Sequence, residues 1–201
     1  MRPFFLSPTR TGLIMRLRPR HFTPLGLLLL LAGCGDSYTP VDLYMATTPE
    51  CKTWQEGSRF DLPRGIRVST SPPVTLADGG AEFTLVYILP RGERARFLTR
   101  AYNVTEPHGK VLAKAELLSF YQRTTTSRPE IVEVIPKVPD MLVAGATGDE
   151  TIWRVRLQVK AKLPERFDLV APSFEIATRE YAMRTFTYRY FPDRKAFGLC
   201  S

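Results

Sequence analysis

The chain has 201 residues, 44% apolar and 24% charged, with 12 Phe, 8 Tyr and 2 Trp. Such a content excludes a disordered chain and fits one globular domain with a segment at one end. The formal charge of +8 invites a nucleic-acid reading, which the placing of that charge excludes.

Arg2, Arg10, Arg16, Arg18 and Arg20 stand in the first twenty residues with no acid among them. An apolar run from Leu25 to Leu31 follows, and it ends in Ala32-Gly33-Cys34. A basic head, a short apolar stretch and small residues make a secretory signal. The stretch is far below the ~20 residues that span a bilayer. Met15 offers a second start with the same three regions.

Leu31-Ala32-Gly33-Cys34 resembles the lipobox of bacterial lipoproteins. The resemblance implies that the Cys34 thiol takes a diacylglyceryl group and becomes the N-terminus after cleavage. Residues 1–33 are then a signal peptide, 34–40 an acylated tether, and 41–201 a single β-rich periplasmic domain. The acyl chains make the membrane a partner, since two or more chains give a durable anchor. Gly35 stands where an inner-membrane retention signal would place Asp, which favours the outer membrane, with the domain facing the periplasm.

Five of the 28 basic residues and none of the 20 acids lie in residues 1–33, so the mature chain carries only +3. That removes the case for nucleic acid. Cys34 aside, two cysteines remain, Cys51 and Cys200. An oxidising compartment and a separation unlike C-x-x-C point to one structural disulfide between them. On the loop-entropy model a closure of this length contributes about 4–5 kcal/mol.

In chain order, strands are expected over Val41–Ala46, Ile66–Thr70, Ala81–Leu89, Glu93–Val104, Lys110–Gln122, Ile131–Ile135, Thr151–Lys162, Asp168–Ala171 and Thr185–Phe191. The clearest is Thr151–Lys162, where Trp153, Val155, Leu157, Val159 and Ala161 alternate with Arg154, Arg156, Gln158, Lys160 and Lys162. That period of two puts one set in a core and the other in water. Lys110–Gln122 contains good helix formers around Ala113–Leu118, yet its context favours a strand. Ser71-Pro72-Pro73, Asp78-Gly79-Gly80, Thr105–Gly109 and Pro136–Asp140 punctuate the strands. Glu175–Arg184 reads as a short helix. The fold class is therefore all-β, an antiparallel β-sandwich with the immunoglobulin-like type as first choice and at most one short helix.

Catalytic chemistry is scarce. His21 leaves with the signal, so His108, in a Pro-Gly turn, is the one remaining imidazole. A multi-His metal site is thereby excluded, and no G-x-S-x-G elbow or phosphate-cradling loop is present. No enzyme activity, cofactor or metal is expected. Two constellations bear on binding. Arg94, Arg96 and Arg100 share a parity on one expected strand, and Arg154, Arg156, Lys160 and Lys162 on another. Neighbouring strands would merge them into a basic face for an acidic partner. Phe186, Tyr188 and Tyr190, with Phe191 beside them, read as core. The expectation is a lipid-anchored cell-envelope protein acting by protein–protein recognition in an envelope or secretion assembly. An immunity lipoprotein against a delivered toxin, or a glycan- or lipid-binding module, are the alternatives.

Overall fold

Alternating apolar and polar side chains dictate the longest strands. The structure is a computed structural model, described here for residues 41–107, 109–124, 131–135, 137–146, 148–182 and 184–194. Over these residues run β1 (Val41–Thr47), β2 (Ser58–Asp61), β3 (Arg67–Thr70), β4 (Val74–Thr75) and β5 (Ala81–Pro90). Next come β6 (Arg94–Phe97), β7 (Tyr102–Thr105), β8 (Val111–Thr124), β9 (Ile131–Ile135) and β10 (Met141–Val143). Then follow β11 (Glu150–Val159), β12 (Arg166–Val170), β13 (Phe174–Ile176), β14 (Arg179–Tyr181) and β15 (Thr185–Arg194). Among the described residues the only helical piece is a 3-10 turn at Pro63–Gly65, so the class is all-β and antiparallel as expected.

Eleven strands form one sheet, ordered β1-β15-β12-β7-β8-β11-β5-β3-β2, with β4 added to β5 and β9 to β8. Its two ends approach each other through the bridge between Ala46 and Gln55, so the sheet is nearly a closed barrel. Four strands form the second sheet, ordered β10-β6-β13-β14. The division is uneven, whereas an immunoglobulin domain shares about seven to nine strands between two sheets.

β11 and β5 pair over ten residues, from Glu150 opposite Pro90 to Val159 opposite Ala81. Thr151, Trp153, Val155, Leu157 and Val159 are buried, as are Ala81, Phe83, Leu85, Tyr87 and Leu89 across the ladder. The turn feeding β5 needs glycine at position 80, because a Cβ there would lie 2.5 Å from the Val159 carbonyl oxygen. Rings join the two sheets. Phe97 of β6 and Phe174 of β13 lie 4.7 Å apart with their rings tilted by 38°, and Tyr87 of β5 meets them at 5.9 and 5.6 Å. Burying such a side chain contributes about 1.5–3 kcal/mol each. The Tyr87 and Tyr102 hydroxyls satisfy one another at 2.8 Å, as a buried polar group requires.

Two expectations are corrected. Glu93–Val104 is not one strand: β6 lies in the small sheet and β7 in the large one. Phe97 and Tyr102 are both buried yet differ in parity, so no uninterrupted strand could bury both. Glu175–Arg184 is not a helix either. It is the β13–β14 hairpin, with Phe174 opposite Tyr181 and Ile176 opposite Arg179. The expected strand Lys110–Gln122 does form, from Val111 onward, as part of β8, its helix-forming residues overridden by pairing with β7 and β11. No helix among the described residues is long and apolar enough to cross a membrane.

Candidate functional site: the outer face of the four-stranded sheet

The two expected basic rows do not merge. Arg154 and Arg156 line the outer face of β11 in the large sheet and Lys160 directly follows it, while Arg94 and Arg96 lie on β6 in the small one. Arg100 falls in the connection after β6, so it belongs to neither row. The fold also neutralises most of these charges. Arg156 meets Glu82 at 2.6 Å, Lys160 meets Glu116 at 2.8 Å, and Arg100 pairs with Asp140. The Arg154 guanidinium sits 5.8 Å from the centre of the Tyr121 ring. Each partner comes from another strand or loop, which is why local sequence could not show it.

The remaining expected residues divide differently. Cys34, Cys200 and His108 lie outside the described residues. Cys51 is disulfide-bonded, and its partner also lies outside them. The ends of β1 and β15 do lie together, with Val41 opposite Arg194. Phe186 and Tyr188 are core, as read, while Tyr190 and Phe191 are half-buried. Burial raises the pKa of the Tyr188 hydroxyl, which shares a 2.7 Å hydrogen bond with Thr70.

What the structure assembles instead is a small surface on β10 and β6. Inward go Leu142, Ala95, Phe97, Phe174 and Ile176, all buried. Alternation then forces Met141 and Val143 outward, 36% and 48% exposed. Register places Met141 opposite Arg96 and Val143 opposite Arg94. Arg96 is opposite Glu175 on its other side, and their side chains meet at 2.5 Å. That contact raises the pKa of Arg96, with a smaller effect from Glu180. Arg94 is exposed and has no ion-pair partner among the described residues. Reading across the strands, the outer face is therefore apolar on β10, basic on β6 and acidic on β13 and β14.

Shallow grooves of about 480 and 430 Å³ flank Arg94, and both are bounded by Arg94 and Ala177. Arg64, Ala177 and Thr178, the non-glycine residues with left-handed backbone among those described, all border one or both of them. Ala177 and Thr178 form the two-residue β13–β14 turn with φ of 48° and 67°. That geometry favours Asn-Gly, and a β-branched residue resists it. Backbone strain of this kind concentrates at functional sites. Sequence reasoning found Arg94 and Arg96 but missed Met141 and Val143, since a three-residue strand after a Pro-rich turn offers no periodicity to read.

A larger groove of about 740 Å³ lies between β1, β4 and the β11–β12 loop, lined by Tyr44, Val74, Lys162 and Tyr190 among others. The Tyr44 hydroxyl donates to the Pro164 carbonyl at 3.2 Å, and burial, then Glu165, raises its pKa. No cluster of three or more His, Cys, Asp or Glu side chains suited to a metal occurs among the described residues. Comparison with protein-family models, with curated proteins and with solved structures found no match to this chain.

Proposed function

We propose that this is a lipid-anchored cell-envelope protein that works by protein–protein recognition, as a component or accessory of an envelope or secretion assembly. The observation that carries the reading is Leu31-Ala32-Gly33-Cys34, placed at the end of a short apolar run behind an arginine-rich head. Cys34 bears the acyl chains and holds the domain at the outer membrane, facing the periplasm. Only six residues separate it from Val41, where β1 begins, so partners must come close to the membrane. The engaged state of Cys51 fits an oxidising compartment, and its partner in this reading is Cys200. Exposed Met141 and Val143 beside Arg94 support recognition, because Met and Arg are enriched where proteins meet.

Labelling of growing cells with radioactive palmitate tests the anchor. The wild-type chain is expected to take up label and sediment with membranes, and Cys34→Ser to do neither. An unlabelled wild-type chain that keeps its intact N-terminus in the cytosol would overturn the reading. Peptide mapping without reductant tests the bridge: a linked Cys51–Cys200 peptide is expected, and free Cys200 would remove it.

A further inference from the structure

The outer face of the four-stranded sheet carries one step more. We infer that it binds an extended segment of a partner protein that presents apolar side chains and carboxylates on one and the same side, fixed in place by Arg94. The inference rests on the recognition reading and names the chemistry of the partner. Met141 and Val143 are two residues apart on one strand and point the same way, so their side chains stand about 7 Å apart. An extended segment repeats its own side chains at the same interval. Successive side chains of that segment point to opposite sides, so every second residue meets the sheet: apolar ones settle on β10, and their neighbours on the same side reach β6, one strand spacing or about 4.8 Å away.

Charge decides what those neighbours are. Arg96 is already held by Glu175 at 2.5 Å, while the Arg94 side chain has no hydrogen-bond or ion-pair partner among the described residues. A planar guanidinium beside apolar contacts suits a carboxylate, which it can bind through two parallel hydrogen bonds. A lysine in that place would meet Arg94 and be repelled. The grooves on either side of Arg94 give the flanking side chains room.

The test uses the full chain in detergent micelles and a fluorescein-labelled eight-residue Leu-Glu peptide, Leu-Ser-Leu-Ser-Glu-Ser-Glu-Ser, which shows Leu and Glu on one side, with empty micelles as the blank. Fluorescence anisotropy is expected to show the Leu-Glu peptide binding at least about tenfold more tightly than its Leu-Lys counterpart. Arg94→Glu should weaken the Leu-Glu peptide by about tenfold or more, and Met141→Ser with Val143→Ser by about fivefold. Lys114→Glu, an equal charge change on exposed β8, should stay within about twofold. Thermal melting confirms that each variant folds. Equal losses for Lys114→Glu and Arg94→Glu would reduce the effect to net charge and overturn the site. So would an Arg94→Glu variant that binds like wild type. Self-association abolished by Arg94→Glu would make the occupant a second copy and overturn the proposal as stated. Photo-cross-linking in cells separates the two claims. Adducts to a protein from position 114 but none from 143 overturn this site and leave recognition standing. No protein adduct from any exposed position overturns recognition itself.

Discussion

The outer faces of the two sheets are built from the same residue types and end differently. On the large sheet, Arg156 of β11 and Lys160 just after it each find a carboxylate on an adjacent strand, and Arg154 finds the Tyr121 ring. On the small sheet, Arg96 is held by Glu175, but Arg94 is left beside two exposed apolar side chains. Both rows alternate cleanly in sequence. A row of like charges on one strand thus says little until its neighbouring strands are known, because they decide whether the row is neutralised or offered to another molecule.

The first way to sharpen the comparison is to show that the small sheet is held from its inner side alone. Phe97→Ala removes a buried ring that touches Tyr87, Phe120 and Phe174. It should cost about 3–5 kcal/mol in chemical denaturation. A loss below about 1 kcal/mol would mean that the sheet is held by something other than this ring cluster.

Alkaline pH loads the same interior. Tyr87, Tyr102 and Tyr188 are fully buried, and burial raises the pKa of each. The folded state therefore keeps three phenolic protons that the unfolded chain releases near pH 10. Their contribution is complete below that pH and is lost as pH rises through the folded-state values. Three retained protons give a slope of up to about 4 kcal/mol per pH unit above 10. Melting temperature between pH 8 and 12 checks this, with tyrosinate absorbance expected to rise together with unfolding. Ionisation near pH 10 in a chain that stays folded would place these hydroxyls in water.

The edge of the outer face responds more weakly. Ala177→Asn with Thr178→Gly relieves two left-handed residues in the β13–β14 turn. It should raise stability by about 1–2 kcal/mol. An unchanged or lower melting temperature would show that the turn is not strained. If the strain serves binding, the same pair of changes weakens the Leu-Glu peptide while stabilising the fold.

Much of the large sheet was legible in the sequence and little of the small one. β11 and β5 each carry five inward residues in strict alternation, so period and composition agree over ten residues. β10 and β13 have three residues each, too few for any period to stand out. The break between β6 and β7 was readable in principle, because Phe97 and Tyr102 cannot share a face of one strand. Placing Arg94 and Arg96 outward needed only their alternation with Ala95 and Phe97. Separating them from Arg154 and Arg156 needed the sheet order, which depends on pairings between distant residues that no local pattern records.

The smallest expected effect decides whether the two faces truly differ. Arg156→Ala breaks a pair with Glu82 in which the side chains are 47% and 22% exposed. Exposed pairs of this kind contribute about 0.2–1 kcal/mol, since water screens them and both side chains lose freedom. A double-mutant cycle with Glu82→Ala should recover a coupling of that size, which shrinks in high salt. Arg94→Ala should cost nothing measurable, because no described carboxylate stands to lose it. A coupling for Arg94 as large as that for Arg156 would make it a structural charge like the others. The small sheet would then present no cation of its own to a partner.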